Sequence, residues 1–414
     1  MKKPQLRSND GENEKQQTSN QPAHASGINI PRYTGRHFVI FKDPYKEYAR
    51  IEALFRDKLG IKTACSRDFT VETFREDKIK DADAYFYEEL GIALISGSPS
   101  AINIFESEST EYILEPERLV RIPDDILSTL NIPNTWGLEA THVNASPYTG
   151  KGIKVAVLDT GFAVKHPDFQ GREVITESFV EGENAEDMHG HGTHCIGTAC
   201  GTTDLEGLRY GVAKESIIYA GKVLNNQGSG AESWVIDGIT WAANNVCKVI
   251  SMSLGSAVLP GEGYSIAYER AAKNALSKGA VLVAAAGNES NRSNNIFNPV
   301  GSPANCPSIL AVGAIDADLN IADFSNRSIN PDQIIDIVAP GVDIYSSFTG
   351  NQRYRALSGT SMAAPHVAGI LALLWEKYPS QTSTWIVEEM HRLVQRLDLS
   401  ENDMGSGLIN APTE

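Results

Sequence analysis

The sequence predicts an α/β protein: a mostly parallel sheet with helices on both faces, preceded by a small α+β domain. Two observations predict this. From Gly152 onward, short runs apolar throughout (IKVAVLD, SIIYAGKVL, CKVISMSL, AVLVAAAG, ILAVGAI, IIDIVAPG) alternate with amphipathic stretches at 233–245 and 264–278. Strands that are apolar on both faces and separated by helices belong to a parallel sheet covered on both sides. Ahead of them, residues 36–122 carry strand, helix, strand, helix and strand signals in under about ninety residues, the texture of a small sheet with helices on one face. The 414 residues, 41% of them hydrophobic, suffice for both cores.

Residues 1–35 are polar, rich in Asn, Gln and Ser, and read as a flexible tail. The run HFVIFKD at 37–43 reads as a strand. In 45–59, Tyr48, Ile51, Leu54, Phe55 and Leu59 recur at helical spacing, and Gly60 supplies the stop. GIALISGS (91–98) reads as a strand, 99–107 as a short helix and EYILE (111–115) as another strand. Residues 123–135, with Pro123, Asp124, Asp125 and Pro133, read as a polar linker, and 136–414 as the larger domain.

Fifty-two Asp+Glu against 36 Lys+Arg give a net charge of −16. Most of the excess lies in 123–414, with 32 acidic and 18 basic residues. A nucleic-acid surface needs a basic footprint, so nucleic acid is not an expected partner, and anionic membranes are disfavoured for the same reason. The most apolar stretches, 279–287 and 363–375, are shorter than the roughly 18–20 residues of a membrane span. Five cysteines with no C-x-x-C spacing read as free thiols. With no apolar leader segment after Met1, they lead to the expectation of a cytoplasmic protein, export by an unrecognised route being the alternative.

In parallel sheets function gathers at the carboxyl ends of strands. Asp159 in VAVLDTG stands at such an end, able to orient a histidine, bind a ribose hydroxyl or cap a turn. D-T-G is also the aspartic-protease motif, but no second D-T-G or D-S-G supplies the other carboxylate. His189, His191 and His194 in HGHGTHC are spaced closely enough to converge on zinc, to supply a base, or to be structural. Ser361 in SGTSMAAP opens an apolar run. The same residues read as a helix cap or as a nucleophile beside the backbone donors of a helix N-terminus. Asn288, after Gly287 at the end of AVLVAAAG, is a turn residue or a carboxamide donor for a developing oxyanion.

The order Asp159, His191, Ser361 in the contexts VAVLDTG, HGHGTHCIGT and GTSMAAPHVAG, with SMSLGS, AAAGNE and GSGLIN, resembles the subtilisin-like serine proteases over about 130–414. HGTHC with RYGVAK is similar to their proteinase K branch. The resemblance implies a serine endopeptidase with Asp159, His191, Ser361 and Asn288 as catalytic residues and no cofactor required for chemistry. It implies a substrate strand between Gly228-Ser229-Gly230 and Ser253-Leu254-Gly255, with Ala285, Ala286 and Gly287 walling the primary pocket. GTTDLEGLRYG (201–211) stands in place of the family's calcium loop; a weaker structural calcium site near Pro307, Ile309 and Asp343 is implied. Cys195 is expected beneath the active site as a packing thiol. Glu289 and Glu232 are expected as exposed charges at the primary and P4 pockets. Residues 36–122 resemble the family's inhibitory propeptide, implying a self-inhibited zymogen whose N-terminal domain is an intramolecular partner. A maturation peptidase dedicated to one protein and a catalytically silent binding or chaperone relative are the alternatives.

Overall fold

Seven strands form the sheet that positions the site: β7 (Lys154–Asp159), β8 (Val174–Ser178), β9 (Ile217–Lys222), β11 (Val249–Met252), β12 (Val281–Ala285), β13 (Leu310–Ile315) and β14 (Ile337–Pro340), in the order β14-β13-β12-β11-β7-β9-β8. Every pairing is parallel, as the unbroken apolar runs require. Alternation along β7 sends Val155 and Val157 to one face and Ala156 and Leu158 to the other. The first face packs on α2 (His191–Cys200) and α5 (Thr360–Lys377). The second packs on α3 (Glu232–Asn244) and α4 (Ile266–Ser277). A short α1 (Trp136–Ala140) precedes β7 and α6 (Ser383–Arg392) follows α5.

The computed structural model describes residues 32–42, 53, 55–56, 62–66, 84–96, 102–103, 105, 112–127 and 135–414. The tail up to residue 31, most of the expected helix at 45–59 and residues 128–134 of the linker lie outside them. Residues 53, 55, 56, 102, 103 and 105 are helical, as the sequence pattern requires. Residues 32–414 belong to one compact unit.

The N-terminal strands are β1 (Tyr33–Phe41), β2 (Thr63–Cys65), β3 (Ala84–Tyr87), β4 (Ile92–Ile95) and β5 (Tyr112–Arg121). Val39, Phe41, Phe86, Ala93 and Ile95 face a small core with Phe55 and Phe105. Phe38, Ile40, Tyr87, Ile92 and Leu94 point the other way and share a core with α3 and α4. The N-terminal sheet therefore closes the helical face of the larger domain.

Two expectations change. The strand read at 111–115 runs on to Arg121, because Leu119–Arg121 pair antiparallel with β10 (Ser229–Ala231). The linker is not merely a tether: Ile126–Leu127 form β6, paired antiparallel with Leu357 and Ser358 of β16 (Tyr354–Ser358), which also pairs with β15 (Ile344–Ser347). A stretch with two acidic residues and prolines reads as a loop, but its apolar pair finds an open sheet edge.

Candidate active site

Asp159 ends β7 and His191 begins α2. The Nδ1 of His191 lies 2.7 Å from Asp159 Oδ1, which also accepts the N–H of Thr160. Both side chains are buried. The start of α2 is organised by Asp187, a buried carboxylate that no sequence pattern singles out. It accepts the N–H groups of His189, Gly190 and Thr193 and the hydroxyls of Thr160 and Thr193. The N–H groups of Gly190 and Thr193 are orphan donors of the helix N-terminus, satisfied by an acid as the dipole favours. Gly190, at φ 104°, allows the turn, and a Cβ there would stand 2.2 Å from the Phe348 ring.

Ser361 is the second residue of α5. Pro365, four residues on, has no N–H to give to the Ser361 carbonyl. That carbonyl is satisfied instead by the Ser253 hydroxyl at 2.7 Å, with the Cys195 thiol at 3.6 Å. Cys195 also lies 3.9 Å from each ring nitrogen of His191, beneath the site as expected; burial pushes its pKa up to about 11, so it stays a thiol. The Ser361 hydroxyl has no hydrogen-bond partner among the described residues.

Asn288 follows β12 and Gly287, whose φ is 108°. Its Oδ1 accepts both the N–H and the hydroxyl of Thr360, at 2.9 and 2.7 Å. The amide oxygen is thus tied to the Ser361 helix and the Nδ2 donor is turned into the cleft. Thr360 is a second residue invisible to pattern reading, because its partner is 72 positions away.

A carboxylate of the chain itself stands in the cleft. Asp125 Oδ2 lies 2.9 Å from His191 Nε2, and Asp125 Oδ1 accepts from Asn288 Nδ2 at 3.0 Å. The Asp124 carbonyl lies 3.4 Å from the same Nδ2. Burial disfavours the His191 imidazolium, but the carboxylates of Asp159 and Asp125 outweigh it and raise its pKa well above the ordinary value. Beside this point residues 121–125, His189, His191, Phe348 and Leu357 line a cleft of about 580 Å³.

The expected substrate strand has an occupant. Leu119–Arg121 pair with Ser229–Ala231. Arg121 also exchanges two 2.8 Å hydrogen bonds with Gly255, and the Ile122 N–H donates to the Gly228 carbonyl. Ser253 and Leu254 are buried behind this strand, and Ala285, Ala286 and Gly287 line up at the end of β12.

The three histidines do not converge. His189 is exposed, His191 faces Asp159 and Asp125, and His194 places Nε2 against the carbonyls of Ile344 and Arg355. Burial lowers the His194 pKa to about 3. Among the described residues, the group with metal-binding spacing is Asp159, His191 and Cys195, the site already occupied by hydrogen bonds. In the loop 201–211 the Asp204 carboxylate accepts from the N–H groups of Glu206 and Leu208 and from the Tyr345 hydroxyl. Pro307 and Ile309 precede β13, and Asp343 precedes β15 with its N–H on the Ser358 hydroxyl.

Glu289 is exposed, as expected. Glu232 is not: it is fully buried, accepting from the Arg118 N–H and the Ser265 hydroxyl. The N-terminal strand covers it, which a local pattern could not show.

The model of the Subtilase family matches residues 150–402. Subtilisin DY of Bacillus licheniformis is 40% identical over 274 residues, 66% of this chain and 94% of that protein. Subtilisin E of Bacillus subtilis is 40% identical over 275 residues, 66% of this chain and 68% of that one. M-protease of Shouchella clausii is 36% identical over 341 residues, 81% of this chain and 82% of that one. These relatives are secreted, extracellular enzymes, which overturns the expectation of a cytoplasmic protein. The physical ground for that expectation is weak: all five thiols are buried packing groups and do not report the redox compartment. Among the described residues no helix is long and apolar enough to cross a membrane.

Proposed function

The chain belongs to the subtilase family and is a serine endopeptidase acting on proteins or peptides; on that premise we propose that Asp159, His191 and Ser361 form its catalytic triad and that the chain is made as a self-inhibited zymogen. In this reading Ser361 attacks the scissile carbonyl, His191 takes the proton and returns it to the leaving amine, and Asp159 fixes the ring and stabilises the imidazolium. Asn288 Nδ2 and the Ser361 N–H receive the oxyanion. The substrate adds as a strand between Ser229–Ala231 and Gly255, and Ala285, Ala286 and Gly287 wall the pocket of the residue before the cut.

The Asp125 carboxylate carries the reading, because it joins His191 Nε2 to Asn288 Nδ2. A negatively charged oxygen has settled where acyl transfer would develop one, and the histidine it pairs with cannot act as a base while protonated. The chain around it fits a pseudosubstrate, with β5 on one side of the site and β6 on the other. Residues 36–122 act in this reading as the intramolecular inhibitor and 123–135 as the segment that crosses the cleft. The family's chemistry needs no cofactor. The carbonyls of Pro307 and Ile309 with Asp343 would supply only part of the roughly six to eight oxygens calcium takes, so any calcium there is structural and weak.

The test is the full chain beside its Ser361→Ala form. Peptidase activity and an N-terminal fragment ending within 119–134 are expected from the first and neither from the second. Full activity from an uncut chain would overturn the zymogen assignment.

A further inference from the structure

Beyond the triad, the segment lying in the cleft reports what the distant part of that cleft recognises. Side chains alternate along an extended strand. Val120 points inward, fully buried in the core that contains Leu254 and Val235. Arg118, two residues earlier, points the same way and is only 9% exposed. Its N–H donates to Glu232 Oε2 at 3.1 Å, and its guanidinium Nη2 pairs with Glu262 Oε1 at 2.9 Å.

The Glu262 carboxylate is held in place by the larger domain's own residues. The Leu259 N–H donates to Oε2 at 2.9 Å. The turn is braced by Asn330 on the Leu259 and Glu262 carbonyls and by Gln333 on the Glu262 carbonyl. Among the described residues, the basic groups paired with Glu262 are Arg32, just before β1, and Arg118 of β5, and none comes from the larger domain. Although partial burial opposes it, the Leu259 N–H and these two arginines hold the Glu262 carboxyl below its usual range. Burial and the neighbouring Glu115 push the Glu232 carboxyl up.

We propose that Glu262 forms a subsite for a cationic side chain, with Glu232 receiving the backbone N–H of the same residue, selecting substrates that carry arginine two residues before the aliphatic residue seated where Val120 now lies. Arg118 is the pseudosubstrate's version of that arginine. The proposal rests on the protease reading above and adds a sequence preference, basic–any–aliphatic, far from the scissile bond.

The experiment measures kcat/KM of the full chain, after its own activation, on peptides in which one arginine is moved stepwise along the side before the cut, against norleucine at each place. One position, two residues before the aliphatic anchor, should be favoured by about two- to fivefold at low salt, through KM, and the preference should shrink as salt rises. In Glu262→Gln the arginine-to-norleucine ratio should fall towards one, and Glu262→Lys should turn the preference towards glutamate at that position. Equal rates for arginine at every position, or the wild-type ratio in both variants, overturns the subsite while leaving the protease reading intact. A chain that cuts none of the peptides overturns the protease reading on which the subsite depends.

Discussion

His191 is paired through both ring nitrogens, with Asp159 at 2.7 Å on Nδ1 and Asp125 at 2.9 Å on Nε2. The first partner comes from the end of a core strand and the second from the segment joining the two sheets. An imidazolium between two carboxylates is electrostatically stable and catalytically idle, because the nitrogen that must accept the serine proton already carries one. On the proposed mechanism, the contact with Asp125 would hold His191 in an inhibited state.

Removing Asp125 should therefore activate the uncut chain. Asp125→Ala deletes the ion pair to His191 and the hydrogen bond to Asn288, contacts to charged groups worth about 1.5–3 kcal/mol. The initial peptidase rate, measured before any fragment appears, should rise by about ten- to hundredfold. An unchanged rate would mean that strand pairing by β5 and β6 alone closes the site.

The Asp125 contact also predicts a titration. In the Ser361→Ala chain, His191 should titrate above the ordinary histidine range, since the carboxylates outweigh burial. Asp125→Asn should move that titration down, read by the imidazole proton and nitrogen resonances. A ring that titrates identically in both proteins would remove Asp125 as its partner.

Substitutions at the chemical groups should separate their roles. Ser361→Ala or His191→Ala should lower kcat by about 10⁴–10⁶ with the fold retained. Asn288→Ala should cost about 2.7–4 kcal/mol of transition-state stabilisation, the magnitude known for the oxyanion-hole asparagine of subtilisin itself. Thr360→Val, which removes the hydroxyl holding Asn288 Oδ1, should lower kcat more than it raises KM. A serine-directed phosphonylating reagent should abolish activity, and zinc chelators should leave it, since His189, His191 and His194 face different partners; restoration of chelated enzyme by zinc would contradict this.

Alkaline pH should loosen the N-terminal sheet. Burial, then Glu115, pushes the Glu232 carboxyl up, while Ser265 and Arg118 pull it down. Burial pushes Asp237 up to about 8; Tyr87 and Arg36 oppose this and Glu117 adds to it. Acids whose pKa values are raised in the folded chain add stability that is full below their unfolded values, near 4.5 and 3.8, and is lost as pH rises through the folded values. Thermal unfolding of the Ser361→Ala chain should thus show stability falling from about pH 5 to pH 8, and Glu232→Gln should flatten the fall. A stability that rises across that interval would contradict the assignment.

Read alone, the sequence specifies the parallel sheet, the strand ends carrying Asp159 and Asn288, and the helix starts carrying His191 and Ser361. Each of these is written in a few consecutive residues, through apolar runs, glycine turns and helix-opening patterns. Which groups those residues meet is settled by packing. Asp187 reads as one acid among many until five donors close on it. Glu232 reads as a surface charge until a strand from 114 positions away covers it. Asp125 reads as part of a polar linker until β5 and β6 pin both its flanks to sheet edges and carry its carboxylate to Asn288, 163 positions on. The difference is one of range: strand and helix signals are local in the chain, whereas burial, pairing and pKa depend on neighbours that only the packed fold supplies.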